Sequence, residues 1–257
     1  MRARLVCAVC VAAITTAALT PPIAHADPRD DFLGRRTRVC QECDLAGVNF
    51  KRHDLTGADL TGANLRGANF HDAQLAGAKL AGADLTGANL NKANLAGADL
   101  SGATLHEAML YAAVLDRAIL KNADLTGAMM GTARLTRTDL TGARLRDADL
   151  RKTRLVETIC SGADFTGAAL DQAFVRAARL DRVALARTRL MEAQLIDTTL
   201  AGADLTAADL RGAALRGVDL RGANLGRATL LRATLDATPL DGAVLADTVM
   251  PDGTKGP

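Results

Sequence analysis

The sequence predicts an all-β solenoid, a chain wound into a rod of short extended sides joined by tight corners. Three observations predict it. From Leu45 to Met250 every fifth residue is large and apolar with no break in register, giving 42 such centres. Two residues before each centre stands a small side chain, Ala in 30 of the 42, so each unit admits one large and one small residue to the interior. Aromatic residues are scarce, with one Tyr, five Phe and no Trp, whereas a globular core of this length draws on them heavily.

A period of five matches neither simple template. An amphipathic helix wants apolar residues at 3.6-residue spacing and a half-buried strand wants alternation at two. Within one unit, however, the small residue and the centre are two apart, so in an extended segment both point inward. The residue between them points outward, as in Ala58-Asp59-Leu60 and Ala223-Asn224-Leu225. The remaining two residues form a corner, where Gly accepts positive φ and Asp, Asn or Thr supplies local hydrogen bonds. The centres are Leu except at Phe50, Phe70, Met130, Cys160, Phe165, Val175 and Met250. Substitutes in the small slot are mostly Thr or Val, with Cys43 and His53 the unusual ones.

These letters, A-[DN]-L-x-x, resemble the pentapeptide-repeat family. Residues 81–100 read AGADLTGANLNKANLAGADL, and the resemblance extends over residues 43–250. It implies a right-handed quadrilateral β-helix with four repeats per coil, hence about ten coils. Stacked at the ~4.8 Å interstrand spacing, these make a rod roughly 50 Å long. The resemblance also implies a homodimer contact through the C-terminal end.

The flanks carry no repeat. Arg2 and Arg4, an apolar run from Leu5 to Leu19, Pro21-Pro22 and Ala24-His25-Ala26 have the order of a secretory signal peptide cleaved near Ala26. The run is short of the ~20 residues a spanning helix needs, so no membrane span is expected. Residues 27–42 read as a cap bearing a C-x-x-C, with Phe32 and Leu33 expected to cover the first coil. Residues 251–257 read as a short tail unable to cover the last coil. The whole chain carries 31 Lys+Arg against 29 Asp+Glu, but Arg2 and Arg4 belong to the signal, leaving 29 against 29. A neutral mature chain gives no reason to expect a nucleic-acid or membrane partner.

Few residues suggest chemistry. Cys160 occupies a centre and reads as a small buried hydrophobe. Cys40-Gln41-Glu42-Cys43 has three readings: a redox pair, half a zinc site, or a disulfide. A redox pair wants a βαβ setting and zinc wants two more ligands, of which only His53 is near. Export and the close spacing favour a disulfide between Cys40 and Cys43. The aspartates that recur in register, Asp44, Asp84, Asp124, Asp164 and Asp204, read as a solvated face. Met109, Val114 and Ile119 fill three successive outward slots, with Tyr111 at the turn between and Met129 one coil beyond Met109. They read either as a partner-binding belt or as drift in a tolerant repeat.

Together these features predict an exported non-enzymatic rod, secreted or held in the periplasm or cell envelope, binding a protein partner. No catalytic residue, cofactor or metal is expected. The alternative, implied by the family resemblance, is a DNA mimic that binds or inhibits DNA gyrase. A mimic should approach the duplex density of about one negative charge per 1.7 Å, which a neutral, arginine-rich chain does not.

Overall fold

The structure, a computed structural model, describes residues 27–257, and the expected signal segment lies outside them. The backbone winds into a parallel β-solenoid in which each outward residue pairs with the one twenty residues later, from Val39–Asp59 to Thr229–Val249. One coil therefore takes four repeats and the chain completes a little over ten. The four sides are named here by their first outward residues: side one from Asp44, side two from Asn49, side three from Asp54 and side four from Val39 and Asp59.

The hydrogen bonds of one unit explain its letters. Leu60 donates to the Lys79 carbonyl in the next coil (2.8 Å), and Lys79 donates back to the Ala58 carbonyl (2.9 Å). Gly62 donates to Ala81 (2.9 Å), and the corner closes through Ala63 N–H to the Leu60 carbonyl (3.1 Å). Only the N–H of Thr61 lacks a backbone partner, and the Asp59 carboxylate accepts it at 3.3 Å while also accepting the Thr61 hydroxyl at 2.7 Å. Buried or half-buried backbone groups must be paired. An Asp or Asn at the outward position is the residue that completes the set, with its side chain accepting from the N–H two residues on. The second corner residue takes positive φ, +67° at Gly62, as a type II turn with this closing bond requires.

Centres and small slots pack into one continuous apolar column, most members fully buried. Threonines in the small slot stay satisfied: the hydroxyls of Thr138, Thr158, Thr188 and Thr248 donate to carbonyls of the preceding coil at 2.6–2.9 Å. Among the described residues no buried side-chain nitrogen or oxygen lacks a partner.

On side three the distal coils depart from this scheme. Residues Arg154–Val156 (β1), Phe174–Arg176 (β2), Gln194–Ile196 (β3), Ala214–Arg216 (β4) and Thr234–Asp236 (β5) form a five-stranded parallel sheet in that order. At these five corners the closing bond is missing, and the strand runs one residue further before turning.

The two ends differ from expectation. Pro28–Leu33 forms a helix, α1, with Asp27 as N-cap accepting from the Arg29 N–H at 2.9 Å and Pro28 in the first turn. Phe32 is buried edge-on against Phe50 at 6.0 Å, and Phe50 stacks on Phe70 at 5.1 Å. Leu33, also expected to cover the first coil, is instead 40% exposed, because a single turn and a half of helix presents one apolar residue to the rod. The tail does cover part of the last coil. Gly253, at φ +87°, reverses the chain, so that Met250 donates to the Thr254 carbonyl (2.8 Å) and Gly256 to that of Thr248 (2.7 Å). An antiparallel addition thus satisfies side two of the last coil, which the sequence reading left bare.

Candidate functional site

Cys40 takes a centre position and is fully buried, while Cys43 takes the small slot three residues on. Glu42 between them has φ +56°, so the pair brackets a corner of the first coil. The sulfurs lie 2.07 Å apart with the Cα atoms at 5.4 Å, a disulfide geometry. The corner bond that Ala63 makes to Leu60 has no counterpart here, and the sulfurs span the corner instead. Cys160 is fully buried, and burial, with the Asp139 charge adding to it, pushes its thiol well up from the usual range. It is thereby kept as an unreactive thiol.

The apolar outward residues divide into separate groups. Met109 and Met129 are register neighbours on side two, bounded by Asn89 before and Asp149 after. The Tyr111 ring lies over Gly131 one coil on, and the Tyr111 N–H donates to the Asn91 side chain at 2.8 Å, fixing that corner. Tyr111 is 53% and Met129 45% exposed, so these three residues make one contiguous apolar patch. Val114 lies half-buried around the corner on side three. Ile119 lies on side four, opposite Met109, between Asp99 and Asp139. The structure thus brings Met109, Tyr111 and Met129 together and leaves Ile119 apart from them.

The aspartate column on side one runs as the spacing implies, Asp44–Asn64–Asp84–Thr104–Asp124–Arg144–Asp164, but its charges are mostly answered. Asn64 donates to Asp44 at 2.9 Å, Arg66 to Asp84 at 2.9 Å and Arg144 to Asp124 at 2.9 Å. Such a face is a poor copy of a phosphate backbone. Among the described residues no cluster of His, Cys, Asp or Glu could hold a metal ion, and no helix is long and apolar enough to cross a membrane.

Among the described residues both ends of the rod present ladder groups without partners. At the first coil no described strand precedes Asp44, Asn49 and Asp54. Between α1 and that coil opens a cleft of about 410 Å³, lined by Phe32, Leu33, Arg38, Phe50, His53 and Leu55 among others. Its one trace in the sequence is His53 in a slot sized for Ala. At the last coil, the N–H groups of Leu235, Leu240 and Leu245 have no partner among the described residues on sides three, four and one. Leu235, Leu240, Ala243, Leu245 and Met250 there are only partly buried.

A family model described as pentapeptide repeats matches residues 39–247. The chain belongs to the pentapeptide-repeat family. Among solved structures it is similar to HetL, a pentapeptide-repeat protein involved in heterocyst differentiation regulation from the cyanobacterium Nostoc sp. strain PCC 7120. The two share 32% identity at a TM-score of 0.62, over 89% of this chain and 97% of HetL. Rfr23, a pentapeptide-repeat protein from Cyanothece 51142, is 32% identical over 45% of this chain and 92% of its own, at a TM-score of 0.43. QnrB1, a plasmid-mediated fluoroquinolone resistance protein, is 19% identical over 80% of this chain and 91% of its own, at 0.34. Comparison with curated proteins gives no match. Members of this family are generally structural or protein-binding rather than catalytic.

Proposed function

We propose that this pentapeptide-repeat protein is exported and serves outside the cytoplasm as a non-enzymatic rod that binds another protein through the patch of Met109, Tyr111 and Met129. The observation that carries the reading is that patch: three apolar side chains stand together between Asn89 and Asp149 in the outward register of side two. Aromatic residues and Met are enriched at the buried centres of interfaces, and a Tyr flanked by two Met has the makings of an anchor. The last coil, with three bare sides, serves as the contact of a homodimer, since matched bare edges invite pairing.

Three measurements test this. Intact mass of the protein from exported and cytosolic fractions should find a chain beginning near Asp27 outside the cytoplasm. It should weigh about two mass units less than its reduced form, from the Cys40–Cys43 bridge. Full-length chain retained in the cytosol would overturn the export reading. For the patch, a photoreactive aromatic at position 111 should cross-link one defined protein, and Met129→Asp should abolish the product. Cross-linking that is indifferent to Met129→Asp would remove the patch from consideration. The dimer should dissociate on Leu240→Asp in sedimentation velocity.

A further inference from the structure

We propose that the outward face of β1–β5 docks an amphipathic α-helix whose exposed stripe alternates carboxylates with apolar residues. Because these five corners lack the closing bond, each strand extends one residue past its centre, and side three presents two outward columns here rather than one. The first column reads Arg154, Phe174, Gln194, Ala214, Thr234 in register. The second reads Val156, Arg176, Ile196, Arg216, Asp236. In the second column an aliphatic residue and an arginine alternate from strand to strand over four strands.

The charges on this face are available. Among the described residues neither Arg154 nor Arg176 has an acidic partner, and Arg216 has only a long contact to the exposed Asp236 at 3.6 Å. Glu157, beside β1, is taken by Arg137 at 2.8 Å, and Asp197, which follows Ile196 at the middle of the face, forms no ion pair with Arg176 or Arg216. The Arg154 guanidinium lies 5.1 Å from the centre of the Phe174 ring, a cation–π contact that uses the ring face and none of its N–H donors on a carboxylate. Arg and aromatic residues in one well-ordered patch are the composition of an interface centre.

Spacing chooses the occupant. Rungs of the rod repeat at ~4.8 Å, and a helix lying along the column brings a side chain to the same line every turn, ~5.4 Å. An extended strand along the same line repeats its same-face side chains at ~6.8 Å and falls out of step after one rung. A nucleic-acid backbone fits worse, since aliphatic residues interrupt the arginines where a continuous run of phosphates wants cations. Carboxylates one turn from apolar side chains meet Arg176 and Arg216 on one hand and Val156 and Ile196 on the other.

The proposal rests on the protein-binding reading but uses a different surface, so the two fail separately. The test uses the disulfide-bonded chain from Asp27 onward. The probe is a fluorescent synthetic helix of about five turns with Glu and Leu alternating along one stripe, titrated by anisotropy. The expected result is saturable binding that falls by about tenfold or more in the double variant Arg176→Glu, Arg216→Glu, with circular dichroism unchanged. A second probe with Lys in place of Glu should show the opposite preference, binding the double variant and not the original chain. Absence of binding by the Glu helix, or binding undiminished in the double variant, would overturn the proposal. So would a short DNA duplex that binds the original chain more tightly than the helix and loses affinity in the same variant. A Tyr111 cross-link obtained alongside failed helix binding would refute this face alone.

Discussion

Two stretches of the same rod, residues 58–102 and residues 154–236, obey one repeat with different strictness. In the first, every small slot is Ala, nearly every corner turns on Gly, and every corner is closed by its hydrogen bond. In the second, Thr and Val enter the slot, Val175 replaces a central Leu, and side three has lost its corner bonds. Positive φ there falls on Gly at some corners and at others on residues such as Glu157, Ala177, Arg182, Arg187, Glu192 and Asp197. A void of about 20 Å³ lies in the column, lined by Leu155, Phe165, Val175, Leu185 and Leu195 among others. The contrast shows what a solenoid tolerates. Each coil touches only its neighbours, so a poor corner or a missing methylene is a local cost and leaves the fold intact. The looser stretch is also where outward side chains gain a second column, so a relaxed corner and a new surface come together.

The largest effect should separate the stretches most clearly. Leu90→Ala opens a cavity among fully buried neighbours and should cost about 3–4 kcal/mol. Leu185→Ala removes a side chain that already borders empty space and should cost nearer 2 kcal/mol. Hydrogen exchange resolved along the chain is the suitable measurement, because a rod of weakly coupled coils need not unfold in one step. Equal losses of protection around both sites would mean that the two stretches are packed alike.

Filling the void should sharpen the comparison from the other direction. Val175→Leu restores the consensus centre and adds one methylene beside an apolar, hence dry, space. A gain of about 1 kcal/mol is expected for β2 and its neighbours, read as slower exchange. A loss would show that the side-three corners have drawn the backbone in too closely for Leu.

Corners give a third comparison, with opposite signs. A Cβ on Gly77 would meet nothing within 4 Å, so Gly77→Ala tests the positive φ of +64° alone and should cost about 1 kcal/mol. Ala177, at φ +49°, already bears that cost, and Ala177→Gly should return part of it, about 0.5 kcal/mol. Chemical denaturation of the two variants against the original chain reads both. Effects of the same sign would mean that the distal corner is held by contacts its side chain makes rather than strained by it.

The sequence made the rod legible and its irregularities much less so. The centre at every fifth residue from Leu45 places the ladder, because each inward position must be filled whatever else varies. That four units close one coil was legible only through the family resemblance, since the same inward pattern suits other numbers of sides. The corner change at β1–β5 left a partial trace: Val156 and Ile196 put β-branched residues after the centre, where strand conformation suits them, but Arg176 and Arg216 give no such sign. α1 was available from Asp27-Pro28 and the acids of its first turn, a standard helix start. The tail's reversal turns on one residue, Gly253, and on a bare edge that only the folded last coil creates. The apolar outward residues divide between sides for a related reason. Met109 and Ile119 are ten residues apart, and in a four-sided coil ten residues is half a circuit.

The smallest expected effect concerns how the two stretches hold their outward aspartates. In the first, Asp59 and Asp84 accept from the Thr two residues on. In the second, Asp209 and Asp219 grip an Arg at that place, and Arg221 reaches Asp219 through Nε at 2.9 Å and a terminal nitrogen at 2.7 Å. This fork, with the Arg221 N–H, lowers the Asp219 carboxyl to about 2 from its ordinary 3.8. A carboxyl with a depressed folded pKa contributes its stability above the unfolded value and loses it as pH falls from about 4 toward 2. Because the pair is at the surface the contribution should stay below about 1 kcal/mol and shrink with added salt. Asp219→Asn should therefore lower stability slightly at neutral pH and clearly less at pH 2, measured by denaturation at both. A penalty of the same size at pH 2 would assign the role of Asp219 to the neutral hydrogen bond with the Arg221 backbone, making the distal corner the same device as the Thr corner with a different ornament.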